Sequence, residues 1–282
     1  MPKSTAPVTT TASGGLSRLE NTFAGLRARN RKALVIYVMA GDPDPAFTER
    51  LVPKLSDAGA DIVELGFPFS DPVADGPVIQ AAAQRALPKF KNLGEFFAMA
   101  KRIRAACSLP LVTMTYYNLI FRHGEKIFLR DAKAAGLDGT IIPDLPVVEA
   151  AEWVRACGEE GMAPIFLEAP NSPEDTSRDI ATLAKGFVYL VSLKGVTGQD
   201  RGLGENLAQR VSRLRQWTKT PLVVGFGIST PDHAKRIGAL CDGVVVGSGV
   251  VQRIAEGRSP AAAEDAVLEY VRTMRAGLDA AG

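Results

Sequence analysis

The chain has 282 residues, 46% of them apolar, and a formal net charge of +2. That is enough apolar material for one large core, and a charge balance that gives no reason to expect nucleic acid or a membrane surface as partner. Cys107, Cys157 and Cys241 are odd in number and far apart, and His123 and His233 are the only histidines, which argues against a disulfide frame, a metal centre or a histidine triad.

Residues 1–15 are rich in Ser, Thr, Ala, Pro and Gly and have neither the apolar run of a secretory signal nor the Arg of an organellar one. They read as a disordered tail, with a single domain over 16–282 and a cytoplasmic setting. A helical pattern at 16–29 is expected to cap the bottom of the fold. Eight short apolar runs bounded by turn residues follow, at 33–39, 61–66, 110–114, 138–143, 163–167, 186–192, 220–225 and 242–247. Several are nearly unbroken in β-branched and aliphatic residues, as parallel strands buried on both faces are. Helical patterns alternate with them at 47–58, 93–106, 124–135, 148–160, 173–184, 205–217, 231–239 and 262–275.

Strand–helix alternation repeated eight times implies right-handed βαβ units closing into a (β/α)8 TIM barrel. An open doubly wound sheet is the competing architecture, but no G-x-G-x-x-G follows the first strand. Ala58-Gly-Ala-Asp61, Ala135-Gly-Leu-Asp138 and Gly238-Ala-Leu-Cys-Asp242 repeat one device, a glycine near a helix end followed by Asp at a strand start. The connection from Phe67 to Asn92 is too long for a plain βα turn and lies over the carboxyl face, where barrel sites are built. The Gly-rich segment 193–204 is a second lid candidate.

Within Asp61-Ile-Val-Glu-Leu-Gly66, alternation places Ile62, Glu64 and Gly66 on one face and Val63 and Leu65 on the other. Val63 and Leu65 suit the helical layer, which puts Glu64 in the lumen. A carboxyl isolated there responds by raising its pKa, as general acid–base work requires. The bland alternative is a structural Glu paired to Arg or to backbone amides. Asp71 and Asp75 follow in Pro68-Phe-Ser-Asp-Pro-Val-Ala-Asp-Gly-Pro77. Asp-Pro and Asp-Gly-Pro are ordinary turn signals, and only their position beyond Glu64 favours a role in chemistry. Gly195-Val-Thr-Gly198, Gly225-Phe-Gly227 and Gly247-Ser-Gly249 lie at three successive strand ends. With a short helix starting near Ser248 after the eighth strand, they read as a phosphate site. Tyr189 faces the lumen by alternation with Phe187 and Val191. Whether it acts or only packs stays open, as it does for Tyr116 and Asn118. The residues alone therefore support proton transfer on a phosphorylated small molecule.

The run Glu64-Leu-Gly-Phe-Pro-Phe-Ser-Asp-Pro-Val-Ala-Asp-Gly-Pro-Val-Ile-Gln80 closely resembles the signature of the tryptophan synthase α-chain family. Ala40-Gly-Asp-Pro43, Tyr116-Tyr-Asn118, Pro143-Asp-Leu-Pro146, Val191-Ser-Leu-Lys-Gly-Val-Thr-Gly198, Gly225-Phe-Gly-Ile-Ser229 and Gly247-Ser248 match in family order. The resemblance implies retro-aldol cleavage of indole-3-glycerol phosphate to indole and glyceraldehyde 3-phosphate. It implies Glu64 as the general acid–base and Asp75 as the carboxylate paired with the indole N–H. Tyr189 would line the site, Tyr37 and Phe226 would flank the indole, and Thr197 would belong to the lid. Gly198, Gly227, Gly247 and Ser248 would cradle the phosphate. Asp71, Asn118, Asp144 and Pro146 would lie at or near a β-chain contact in an α2β2 tetramer, with no cofactor in this chain and pyridoxal phosphate in the partner. Met39, Phe67 and Leu193-Lys194 depart from the commonest family pattern without removing a group that the chemistry needs. The competing functions are a stand-alone indole-3-glycerol phosphate lyase and a catalytically idle barrel that activates a β chain.

Overall fold

A computed structural model of the protein describes residues 15–192, 201–225 and 227–281, excluding the side chains of 201–205. Strands β1 (Ala33–Met39), β2 (Ile62–Gly66), β3 (Leu111–Met114), β4 (Gly139–Ile141), β5 (Ala163–Ile165), β6 (Leu167–Glu168), β7 (Val188–Val191), β8 (Leu222–Gly225) and β9 (Gly243–Val246) form one parallel sheet in the order β5-β4-β3-β2-β1-β9-β8-β7-β6. The two ends of that order, β5 and β6, are one stretch of chain interrupted only at Phe166, so the sheet closes on itself. The expected eight-stranded barrel is present, its fifth strand broken in two.

Alternation sorts the strand residues into two layers. Leu34, Ile36, Val63, Leu65, Leu111, Val188, Leu190, Val224 and Val244 point outward into the core beneath the helices. Val35, Tyr37, Ile62, Val112, Ile141, Phe187, Tyr189, Val223 and Val245 fill the lumen. Helix α1 (Gly15–Ala28) closes the amino end with Leu19, Phe23 and Leu26, and the Phe23 and Phe187 rings lie 6.0 Å apart. The tail expected at 1–15 lies, up to residue 14, outside the described residues.

The repeated Asp at strand starts has a physical purpose. Asp61, Asp138 and Asp242 accept the backbone N–H of Leu34, Leu111 and Leu222 at 2.8, 2.8 and 2.7 Å, each on the strand preceding its own. Each also pairs with arginine: Arg275 with Asp61, Arg18 and Arg104 with Asp138, Arg215 with Asp242. The glycines are less uniform than the sequence suggests. Gly59 and Gly136 make the turn at positive φ, but Gly238 is the last residue of helix α10 (Pro231–Gly238), where a side chain would run into Leu278.

The long connection after β2 is not all loop. It carries helix α3 (Pro77–Ala86), whose Ile79, Ala82, Ala83 and Ala86 form the i, i+3, i+4, i+7 stripe that packs over the lumen. Arg85 of α3 donates to both carboxylate oxygens of buried Asp42 at 2.8 and 2.7 Å, pinning the helix to the turn after β1. Phe67 turns outward, its ring 5.7 Å from Phe90 and 5.0 Å from Phe96, so this departure is absorbed outside the lumen. Helix α11 (Ser248–Glu256) starts where the short helix was expected, and α12 (Pro260–Asp279) backs it.

Candidate active site

At the carboxyl end of the barrel a cavity of about 150 Å³ is lined by Tyr37, Glu64, Asp75, Ile79, Met114, Tyr189, Val245 and the 227–229 and 247–249 segments. Glu64 enters it from β2 because its parity is that of Ile62, and its register partner on β1 is Tyr37. Its side chain is 1% exposed, and Oε2 has no hydrogen-bond partner. No arginine pairs with it among the described residues, so the structural reading of this glutamate lacks its partner. Burial, and then the negative charge of Asp75, push its carboxyl up to about 8.

Asp75 reaches the cavity from the loop between β2 and α3. Its Oδ2 accepts the Tyr116 hydroxyl at 3.1 Å, and its backbone carbonyl accepts Gln80 Nε2 at 2.9 Å. Burial raises this carboxyl to about 6, with the Tyr116 hydrogen bond acting in the opposite direction. The ring of Phe69, from the same loop, stacks on Tyr116 with centroids 4.9 Å apart. Tyr116, left open by the sequence, is thus the post to which the acidic loop is tied. Asp71, by contrast, is exposed and does not line the cavity.

Tyr37 and Tyr189 are both 6% exposed and face the lumen from β1 and β7, and burial raises both phenols well above their usual value. Strand glycines make room for them: a Cβ at Gly66 would overlap the Tyr37 hydroxyl, and one at Gly225 the Tyr189 hydroxyl. Met39, the second departure from pattern, is buried beside Tyr37, with the hydroxyl 3.9 Å from its sulfur.

The other wall is backbone. Gly227 follows β8 at φ 78°, and Gly247 and Ser248 open α11, whose first turn has no side-chain cap. Free N–H groups at a helix start, with the helix dipole behind them, suit an anion. No Arg or Lys is among the described residues lining the cavity; what these offer a dianion on this wall is backbone amides, the helix dipole and the serine residues Ser229 and Ser248. Thr197, Gly198 and Phe226 lie outside the described residues, as do Leu193 and Lys194. Asn118, Asp144 and Pro146 do not line the cavity. All three are exposed on the connections after β3 and β4, with Asp144 Oδ1 accepting the Tyr117 N–H at 2.8 Å.

Ile79, Met114 and Val245 are lining residues that site-by-site reading of the sequence passed over. The signals are the α3 stripe for Ile79, and strand alternation, with Val112 for Met114 and with Gly247 for Val245. The described residues contain no group of three or more His, Cys, Asp or Glu able to hold a metal, and no described helix is long and apolar enough to cross a membrane.

Residues 23–279 match the family model described as tryptophan synthase alpha chain. The tryptophan synthase alpha chain of Geobacter sulfurreducens is 49% identical over 237 residues, which cover 84% of this chain and 90% of that one. That of Geotalea uraniireducens is 43% identical over 95% of this chain and 100% of its own length. Among solved structures, tryptophan synthase subunit alpha from Legionella pneumophila superposes with a TM-score of 0.84 at 35% identity, covering 93% of this chain and 98% of that one. Tryptophan synthase from M. tuberculosis in its aminoacrylate-bound form gives 0.82 at 33% identity, covering 93% and 99%.

Proposed function

The chain belongs to the tryptophan synthase alpha chain family, and on that premise we propose how its own residues carry the family's reaction. That reaction is the lyase step of tryptophan biosynthesis in which indole-3-glycerol phosphate is cleaved to indole and glyceraldehyde 3-phosphate.

The observation that carries the assignment is Glu64: a fully buried carboxyl with one oxygen free, facing the cavity and holding its proton up to about 8. Protonated at neutral pH, it donates to C3 of the indole, and the ring becomes an indoleninium-like cation. Asp75, ionised at the same pH, accepts the indole N–H and stabilises that charge. The Glu64 carboxylate then takes the proton of the hydroxyl on the adjacent glycerol carbon. As that carbonyl forms, the bond to C3 breaks and its electron pair returns to the ring, releasing indole and the aldehyde. Glu64 has given one proton and regained one, so it ends as it began.

Tyr37 and Tyr189 border the indole, with Phe226 assigned to its other face on sequence grounds. Gly227, Gly247 and Ser248 receive the phosphate, joined on the same grounds by Gly198, while Thr197 closes the site. The chemistry as written draws on side chains of this chain only, and pyridoxal phosphate is assigned to a β chain. Exposed Val73, Phe121 and Val148, at 73, 68 and 69%, stand on the connections after β2, β3 and β4, Phe121 in the short helix Tyr117–His123 and Val148 in the 3-10 turn Val147–Glu149. Asp71, Asn118, Asp144 and Pro146 belong to the same three connections. Apolar residues exposed this far in one sector of the rim support a docking face for the β chain, and hence an α2β2 assembly in the cytoplasm.

Indole release from indole-3-glycerol phosphate, by the purified chain with and without a β chain, tests this reading. Release that rises on adding the β chain is expected. Release at full rate without response to the β chain would make this a stand-alone lyase, and no release under either condition would overturn the assignment.

A further inference from the structure

The two backbone segments of the phosphate cradle come from different strands, 227–229 after β8 and 247–249 after β9. One side chain outside the barrel touches both. Tyr270 of α12 is 7% exposed and donates its hydroxyl hydrogen to the Ser229 carbonyl at 3.0 Å. Its hydroxyl end also lies against the first turn of α11, so closely that a Cβ at Gly249 would overlap the hydroxyl. Arg253, one turn along α11, places its guanidinium 3.6 Å from the centroid of the Tyr270 ring and donates Nη1 to the Gly249 carbonyl at 2.8 Å. A cation over a ring so largely desolvated holds both partners in place.

Carbonyls of the two segments are thereby fixed to one rigid group: Ser229 directly, Gly249 through Arg253. Fixing these two carbonyls restrains the backbone of 227–229 and of 247–249 as segments, and amides bind an anion tightly only when they are held in place beforehand. We infer that Tyr270, with Arg253 stacked on it, is a positioning residue that keeps the two halves of the phosphate cradle in register and sets affinity for the phosphate end of the substrate, not the indole end. The inference rests on the cradle assigned under the proposed function.

The test measures Kd for sn-glycerol 3-phosphate and for indole on the full chain and on Tyr270→Phe, which keeps the ring and removes only the hydroxyl. One lost hydrogen bond is expected to weaken glycerol phosphate by about 3- to 10-fold. The same factor should appear in KM for indole-3-glycerol phosphate, with kcat and the indole Kd unchanged. Arg253→Met, expected to show the same selective loss, decides the matter if Tyr270→Phe does not fold. Unchanged glycerol phosphate affinity, or equal loss for both ligands, overturns the positioning role. Ser248→Asp in the parent chain separates the two levels, because a negative charge in the cradle abolishes glycerol phosphate binding there. If it does not, the cradle assignment fails and the inference falls with it.

Discussion

The Tyr116 hydroxyl donates to Asp75 at 3.1 Å and accepts the Ala74 N–H at 3.2 Å, so a side chain at the end of β3 fixes a carboxylate carried on the loop after β2. This arrangement determines how the site should respond to pH. Free enzyme is competent when Asp75 is ionised and Glu64 is protonated, and their carboxyls sit near 6 and 8. The pH profile of kcat/KM is expected to be a bell with limbs near those values.

Tyr116→Phe keeps the stack with Phe69 and deletes the hydrogen bond that favours ionised Asp75. The acid limb is expected to move to higher pH while the basic limb, which belongs to Glu64, stays in place. An unmoved acid limb would mean that Asp75 does not govern it.

Burial of Glu64 has a cost in stability whose sign is fixed. The folded chain binds this proton more tightly than the unfolded one, so stability falls as pH rises from the ordinary 4.5 to about 8. Glu64→Gln removes the titration. Denaturant melts should show it more stable than the parent at pH 7 by about 3 kcal/mol, with the gap closing towards pH 4.5. A gap independent of pH would place the effect elsewhere.

At the opposite end of the barrel, Asp138 accepts the Leu111 N–H and faces Arg18 and Arg104. Asp138→Ala leaves a buried donor and two cations without their acceptor and is expected to cost about 2–4 kcal/mol in urea unfolding. Asp138→Asn recovers part of this. Both variants should keep the parent kcat/KM at a temperature where they remain folded, because the stitch lies far from the cavity.

The barrel was legible in the sequence because parallel strands buried on both faces leave unbroken apolar runs. Glu64 was legible because a lone acid in such a run must point somewhere dry. Helix α3 was hidden behind its own start: Asp-Gly-Pro reads as a turn, and a stripe of alanines carries little hydrophobic contrast. Tyr116 could not be assigned, since its role depends on a hydrogen bond to a residue 41 positions away. Tyr270 sits mid-helix among apolar neighbours, and nothing local distinguishes a packing tyrosine from one that reaches a strand-end carbonyl. The split of the fifth strand at Phe166 likewise leaves no mark in a run of apolar residues.

Indole release from indole-3-glycerol phosphate by Glu64→Gln, measured beside the parent with the β chain present, bears most directly on the role given to this carboxyl. Gln keeps the shape and cannot exchange the proton, so kcat is expected to fall by about 10²–10⁴ while the substrate still binds. A Gln variant that releases indole at the parent rate would contradict proton transfer by Glu64.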